Sequence, residues 1–122
     1  MPGLLFAYGT LGPPGPEAVT QGGWVADAVR GRLYDLGPYP ALIDAGDPET
    51  DWVEGHVRPV EGRELVDFLD PYEGVDEGLF RRVAVTTRCG RRAWVYVYAQ
   101  AVPPSARGPL ARWEGPGGDR IP

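Results

Sequence analysis

Two places in this chain combine residue types and a setting that could do chemistry: the segment Tyr8-Gly9-Thr10-Leu11 and the carboxylate Glu73. The apolar run Leu4-Leu5-Phe6-Ala7 passes into Tyr8-Gly9-Thr10-Leu11 and then into Gly12-Pro13-Pro14-Gly15-Pro16, which reads as a buried strand delivering a glycine-centred loop. Gly9 lets the backbone turn and approach a ligand, and successive N–H groups in such a loop form a nest for a carboxylate or phosphate. Any strand-to-loop glycine looks much the same. Glu73 lies in Leu69-Asp70-Pro71-Tyr72-Glu73-Gly74, after a stretch in which Leu65, Phe68, Leu69 and Tyr72 are spaced for one apolar helical face. Pro71 disfavours helix at Asp70, so the spacing predicts a helix that stops near Asp70 with Glu73 just past its end. These residues leave two readings of Glu73 open. It is a proton carrier where helix meets loop, or it is the third residue of a capping box with Asp70 as the N-cap and Pro71 first in the turn.

The rest of the composition narrows the chemistry by elimination. The chain has no Lys and no Asn, which excludes Schiff-base chemistry and the P-loop lysine, and its one Ser, Ser105, lies in a Pro-rich stretch without a nucleophile-elbow motif. His56 alternates with Val53, Gly55 and Val57, on the polar face of a strand beside Glu54 and Arg58. Cys89, in Arg88-Cys89-Gly90-Arg91, sits in a hairpin turn. One Cys and one His make neither a disulfide framework nor a structural zinc site. Carboxylates, Arg, Tyr, Thr and backbone amides remain, so an enzyme built from this chain would shuttle protons and bind an anion rather than use a strong protein nucleophile.

Period-two alternation is clearest at Arg81 to Thr87 and at Ala93 to Gln100, where Trp94, Tyr96 and Tyr98 alternate with Ala93, Val95, Val97 and Ala99; the Cys89-Gly90 turn should pair these strands. Tyr96 and Tyr98 read as packing or interface aromatics. Further strands are expected at Leu4 to Tyr8, Ala28 to Leu36, Ala41 to Asp44 and Val53 to Val60, with a helix from Gly62 to Asp70 and a short one in Glu17 to Gln21. The result is a strand-dominated α+β domain. At 122 residues, with 43% hydrophobic, the chain suits one core, here assigned to residues 1–102. Residues 103–122 read as a Gly/Pro-rich extended tail anchored by Trp113. The net charge of −5 and the scattered Arg residues argue against nucleic acid, and the opening apolar run is too short for a membrane span or secretory signal. A soluble cytoplasmic protein is the expectation.

Taken in order, Phe6-Ala7-Tyr8-Gly9-Thr10-Leu11, Gly31 to Ala41, Leu69 to Gly74, Phe80-Arg81-Arg82-Val83 and Trp94-Val95-Tyr96-Val97-Tyr98 resemble the gamma-glutamylcyclotransferase-like family, in its plant-avirulence-induced-like and gamma-glutamylamine-cyclotransferase-like branch. The resemblance covers most of residues 4 to 102. It implies a single-domain mixed-strand β-barrel with flanking short helices. It also implies that Tyr8, Gly9, Thr10 and Leu11 hold the α-carboxylate of a gamma-glutamyl substrate and that Glu73 is the acid/base, which favours the proton-carrier reading over the cap. The reaction implied is an intramolecular cyclisation releasing 5-oxoproline and an amine, and it needs no metal and no cofactor. A noncatalytic module binding a small acidic metabolite in the same cavity is the alternative, though a buried carboxylate there would repel such a ligand.

Overall fold

The alternation in the sequence becomes a curled sheet. The structure is a computed structural model and describes residues 2–9 and 23–113. Its strands are β1 (Leu4–Ala7), β2 (Val25–Asp35), β3 (Pro40–Ile43), β4 (Asp51–Pro59), β5 (Phe80–Thr86), β6 (Arg92–Tyr98) and β7 (Arg107–Leu110). They form one seven-stranded sheet in the order β3-β2-β4-β1-β6-β5, with β7 also on β2. Every pairing is antiparallel except β1 with β6, where Leu5 lies opposite Trp94, so the sheet is mixed. β2 changes partner along its length: Val25–Gly31 pairs with β4 and Arg32–Asp35 with β3. That change helps to curl the sheet into a half-barrel rather than a closed barrel.

The two faces separate by residue parity. Phe6, Val29, Leu33, Leu42, Val53, Val57, Val85, Ala93, Val95 and Val97 fill one core. Leu5, Val60, Leu65, Phe80 and Tyr96 form a second, joined at its margin by Trp94 and Tyr98. Neighbouring residues of β1 and β6 thus serve opposite faces, as a period of two requires. The expected hairpin of β5 and β6 is present, with Val83 opposite Val95.

One helical segment packs on the second core, in three pieces: α1 (Gly62–Glu64), a π turn (Leu65–Leu69) and α2 (Asp70–Tyr72). The segment runs through Pro71 instead of stopping at Asp70, whose φ of −59° and ψ of −47° are helical. The Asp70 N–H reaches back five residues to the Leu65 carbonyl, and this widened turn makes room for the proline ring that a regular helix would force against a carbonyl. The wide turn also rotates the buried face. Leu65 is buried, but Phe68 and Tyr72, expected beside it, are exposed. The second helix expected, Glu17 to Gln21, lies outside the described residues.

Residues 107–110, which carry no strand signal, add β7: Leu110 pairs with Leu33 and Arg107 with Asp35. Beyond it the Ala111 carbonyl accepts the Glu54 N–H at 2.8 Å, and Trp113 packs on the first core. His56 is half-buried, edge-on to Trp24. At the hairpin end Asp27, 1% exposed, accepts hydrogen bonds from Thr87 Oγ1 (2.6 Å), Arg91 Nη1 (2.7 Å) and the Ala28 (2.8 Å) and Cys89 (3.2 Å) amides. Burial opposes ionisation there, yet these donors outweigh it and hold the Asp27 pKa down to about 2. Among the described residues no helix is long and apolar enough to cross a membrane.

Candidate active site

Glu73 occupies the C-cap of the helical segment. Its N–H reaches the Leu69 carbonyl at 2.9 Å; the Gly74 N–H then bonds Pro71 O and the Val75 N–H bonds Asp70 O, both at 3.1 Å. This double closure is a Schellman motif, and Gly74 supplies the left-handed residue it needs, at φ +68°. The glycine after Glu73 is therefore a helix stop, and the hexapeptide encodes a C-terminal cap where the sequence suggested an N-terminal one. The capping-box reading fails on its other half as well, because Asp70 is itself helical and makes no cap hydrogen bond.

Asp70 instead clamps the helix to the sheet. Its carboxylate accepts Arg82 Nε at 2.9 Å, Arg82 Nη2 at 3.1 Å and the Tyr96 hydroxyl at 2.6 Å. Arg82 and Tyr96 face each other across the β5–β6 ladder, and the Arg82 guanidinium stacks 4.4 Å from the Trp94 ring centroid. Burial raises the cost of ionising Asp70, but the Arg82 and Tyr96 donors outweigh it and keep its pKa below the ordinary value. The helix end that carries Glu73 is thus fixed by side chains.

Three residues further on, the environment reverses. The Glu73 side chain is half-buried, and among the described residues none donates it a hydrogen bond or pairs with it. Burial pushes its pKa up to about 7, and its place at a helix carboxyl end adds to the resistance against negative charge. Three phenols feel its field: those of Tyr8, Tyr39 and Tyr96 are pushed up first by burial, then at Tyr8 by the Glu73 charge, at Tyr39 by Tyr98 ahead of Glu73, and at Tyr96 by Asp70 well ahead of Glu73. They stay protonated at neutral pH; the Tyr8 hydroxyl donates to the Tyr96 carbonyl and the Tyr96 hydroxyl to Asp70. Tyr39 also stacks obliquely on Phe80, which meets Tyr98 edge-on, so an aromatic row continues from the carboxylate.

Of the residues singled out by sequence, the structure brings Tyr8 within the field of Glu73 and places Gly9 beside it in the chain. Tyr8 is anchored by its hydroxyl, which donates to the Tyr96 carbonyl at 2.6 Å. Thr10 and Leu11 lie outside the described residues. Gly9 has a packing reason for its missing side chain: a Cβ there would strike Pro40 Cγ and come within 3.4 Å of Trp113. Asp70, Tyr39 and Tyr96 escaped the sequence reading of the site. Only the Asp-Pro step and the Arg82–Tyr96 register could have flagged the clamp, since its partners are 12 and 26 residues away. A separate cleft of about 420 Å³, lined by residues including Tyr8, Gly9, His56 and Trp113, opens beside the loop, and Glu73 does not line it. Among the described residues no group of three or more His, Cys, Asp or Glu side chains could hold a metal ion.

Several solved structures share this architecture. The Escherichia coli protein ytfP superposes with a TM-score of 0.62 at 25% identity, over 91% of this chain and 96% of its own. An uncharacterized protein from Pyrococcus horikoshii gives 0.59 at 19% identity, over 85% and 84%. An AIG2-like protein from Mus musculus gives 0.57 at 23% identity, over 98% and 95%. No curated protein sequence matches the chain. Residues 5–115 match the model of the family described as gamma-glutamyl cyclotransferase, AIG2-like, a span that holds the half-barrel, the Tyr8 turn and Glu73, and the chain belongs to that family.

Proposed function

We propose that the protein is a gamma-glutamyl cyclotransferase-type enzyme that cyclises a gamma-glutamyl amine or peptide to 5-oxoproline and releases the free amine. The observation that carries this reading is Glu73: a half-buried carboxyl with its pKa pushed up to about 7, near enough to the Tyr8 and Tyr39 phenols for its charge to raise theirs, on a fold of this family. An Arg- or Lys-paired carboxylate would be a weak base at neutral pH. Among the described residues Glu73 has no ion-pair partner, and with its pKa near neutrality it can both take and return a proton.

In this mechanism the backbone of the Tyr8–Leu11 loop holds the α-carboxylate. Glu73 removes a proton from the α-ammonium, and the freed amine attacks the gamma-carbonyl carbon, forming the ring C–N bond. The tetrahedral centre collapses with cleavage of the bond to the leaving nitrogen. That nitrogen takes the proton held by Glu73, and the Glu73 carboxylate so regenerated accepts the ring nitrogen's second proton as the amide forms and passes it to the released amine, which leaves as an ammonium. Nucleophile and electrophile belong to one molecule, so holding the chain folded supplies up to about 7–11 kcal/mol in favourable intramolecular cases. The residues on hand suffice for these proton transfers.

The test is incubation with a panel of gamma-glutamyl amines and peptides, with 5-oxoproline read by mass spectrometry. Release of equimolar 5-oxoproline and amine is expected from at least one member. Saturable binding with no turnover across the panel would replace the enzyme with a binding module.

A further inference from the structure

We infer that Tyr96 is a positioning residue that ties the two segments of the candidate site together, its hydroxyl holding the helix end that carries Glu73 and its carbonyl holding Tyr8 at the start of the glycine loop. The catalytic consequence rests on the proposed function; the mechanical coupling does not. Two 2.6 Å hydrogen bonds carry the inference, Tyr96 Oη to Asp70 Oδ1 and Tyr8 Oη to the Tyr96 carbonyl. Among the described residues, Tyr96 is the one with hydrogen bonds to both segments.

The position explains why a side chain is needed on each side. β1 and β6 run parallel with Leu5 opposite Trp94, and two residues on, at Tyr96, the sheet carbonyl is met by the Tyr8 phenol as β1 ends. On the helix side Pro71 removes one backbone donor from the last turn, so the orientation of that turn depends on what grips Asp70. Arg82 supplies charge, but Tyr96 is the buried partner, 3% exposed and packed with Leu5, Val60, Leu65 and Phe80. A phenylalanine would fill the same volume. The hydroxyl is therefore committed to the clamp and not to the core.

The experiment is Tyr96→Phe in the full chain. If Tyr96 positions both segments, kcat on a gamma-glutamyl amine found in the panel falls about tenfold while KM stays within about twofold, as expected for a displaced catalytic group. In ligand-free Tyr96→Phe, carbon-13 NMR should show the Glu73 carboxyl titrating closer to the ordinary carboxylate range, and in Tyr8→Phe, which removes the bond to the retained Tyr96 carbonyl, the Gly9 amide should shift. Wild-type kcat or an unchanged Glu73 titration in Tyr96→Phe overturns the hold on the helix end, and an unmoved Gly9 amide in Tyr8→Phe overturns the hold on the loop. Should Tyr96→Phe fail to fold, Asp70→Asn asks the helix-side question, and an unchanged Glu73 titration overturns it there. Glu73→Gln keeps the two ideas separate: if that variant turns over normally the catalytic reading fails, and the NMR measurements still judge the coupling.

Discussion

Two carboxylates, one at the β5–β6 hairpin turn and one at the end of the helical segment, are held partly away from water with opposite results. Asp27 is the more deeply buried, yet Thr87, Arg91 and the Ala28 and Cys89 amides saturate it and its pKa falls to about 2. Glu73 is only half-buried, has no such donors among the described residues, and rises to about 7. Depth of burial is thus a poor guide to chemistry in this molecule. What separates a structural knot from a group poised to move protons is whether the neighbours have already satisfied the charged form.

The strongest way to break that comparison is Glu73→Gln, which keeps the shape and removes the proton acceptor. Turnover should fall by about 10²–10⁴-fold while the fold survives, measured by steady-state kinetics and thermal melting on one preparation. Near-normal turnover would reduce Glu73 to a structural residue like Asp27. The mirror experiment is Asp27→Asn, which leaves Arg91 without its buried anion. It should lower the melting temperature, because Thr87 and the Ala28 and Cys89 amides lose the charge they satisfy, with turnover per folded molecule unchanged. A normal melting temperature with lost turnover would reverse the roles assigned to the two carboxylates.

The smallest effect sharpens the contrast through pH. The Glu73 carboxyl has its pKa raised from 4.5 to about 7 on folding, so the folded state holds its proton more tightly and wild-type stability declines as pH rises across that window. Glu73→Gln has no such loss. Its melting temperature should gain on wild type between pH 5 and pH 8, by on the order of 1 kcal/mol once solvent screening at this half-exposed position is allowed for. Asp27 has the opposite sign: its pKa is depressed from 3.8, so its contribution is present above that value and is lost as pH falls toward about 2. A pH-independent gap between Glu73→Gln and wild type would contradict the raised pKa.

Much of this was legible where a rule acts within a few residues. The alternation of Ala93, Val95 and Val97 with Trp94, Tyr96 and Tyr98 states which side chains serve which core, and the structure follows it. Legibility ended where partners are remote. Val25 and Ala26 are exposed and carry no alternation signal, but they become strand by lying opposite Val57 and His56. β7 contains Gly108 and Pro109 and exists because the edge of β2 accepts it. The apolar spacing of Leu65, Phe68, Leu69 and Tyr72 assumed 3.6 residues per turn, and a π turn spoils that count. For the site, Tyr8 and Glu73 stood out as motifs, whereas Asp70, Tyr39 and Tyr96 owe their roles to contacts between distant segments.

The place of β1 in the sheet sets an order of events in the making of the protein. Leu4–Ala7 lies between β4 and β6, whose residues run to Pro59 and Tyr98, and among the described residues it has no hydrogen-bonded neighbour in the sheet closer along the chain. Although early to leave the ribosome, β1 cannot be fully docked until β6 has emerged, and closing so long a loop is slow. The apolar Leu-Leu-Phe-Ala run therefore waits exposed during synthesis, a target for chaperones or for association with other nascent chains. Tyr8 is attached to that waiting strand, so the candidate site forms only after most of the chain has been translated.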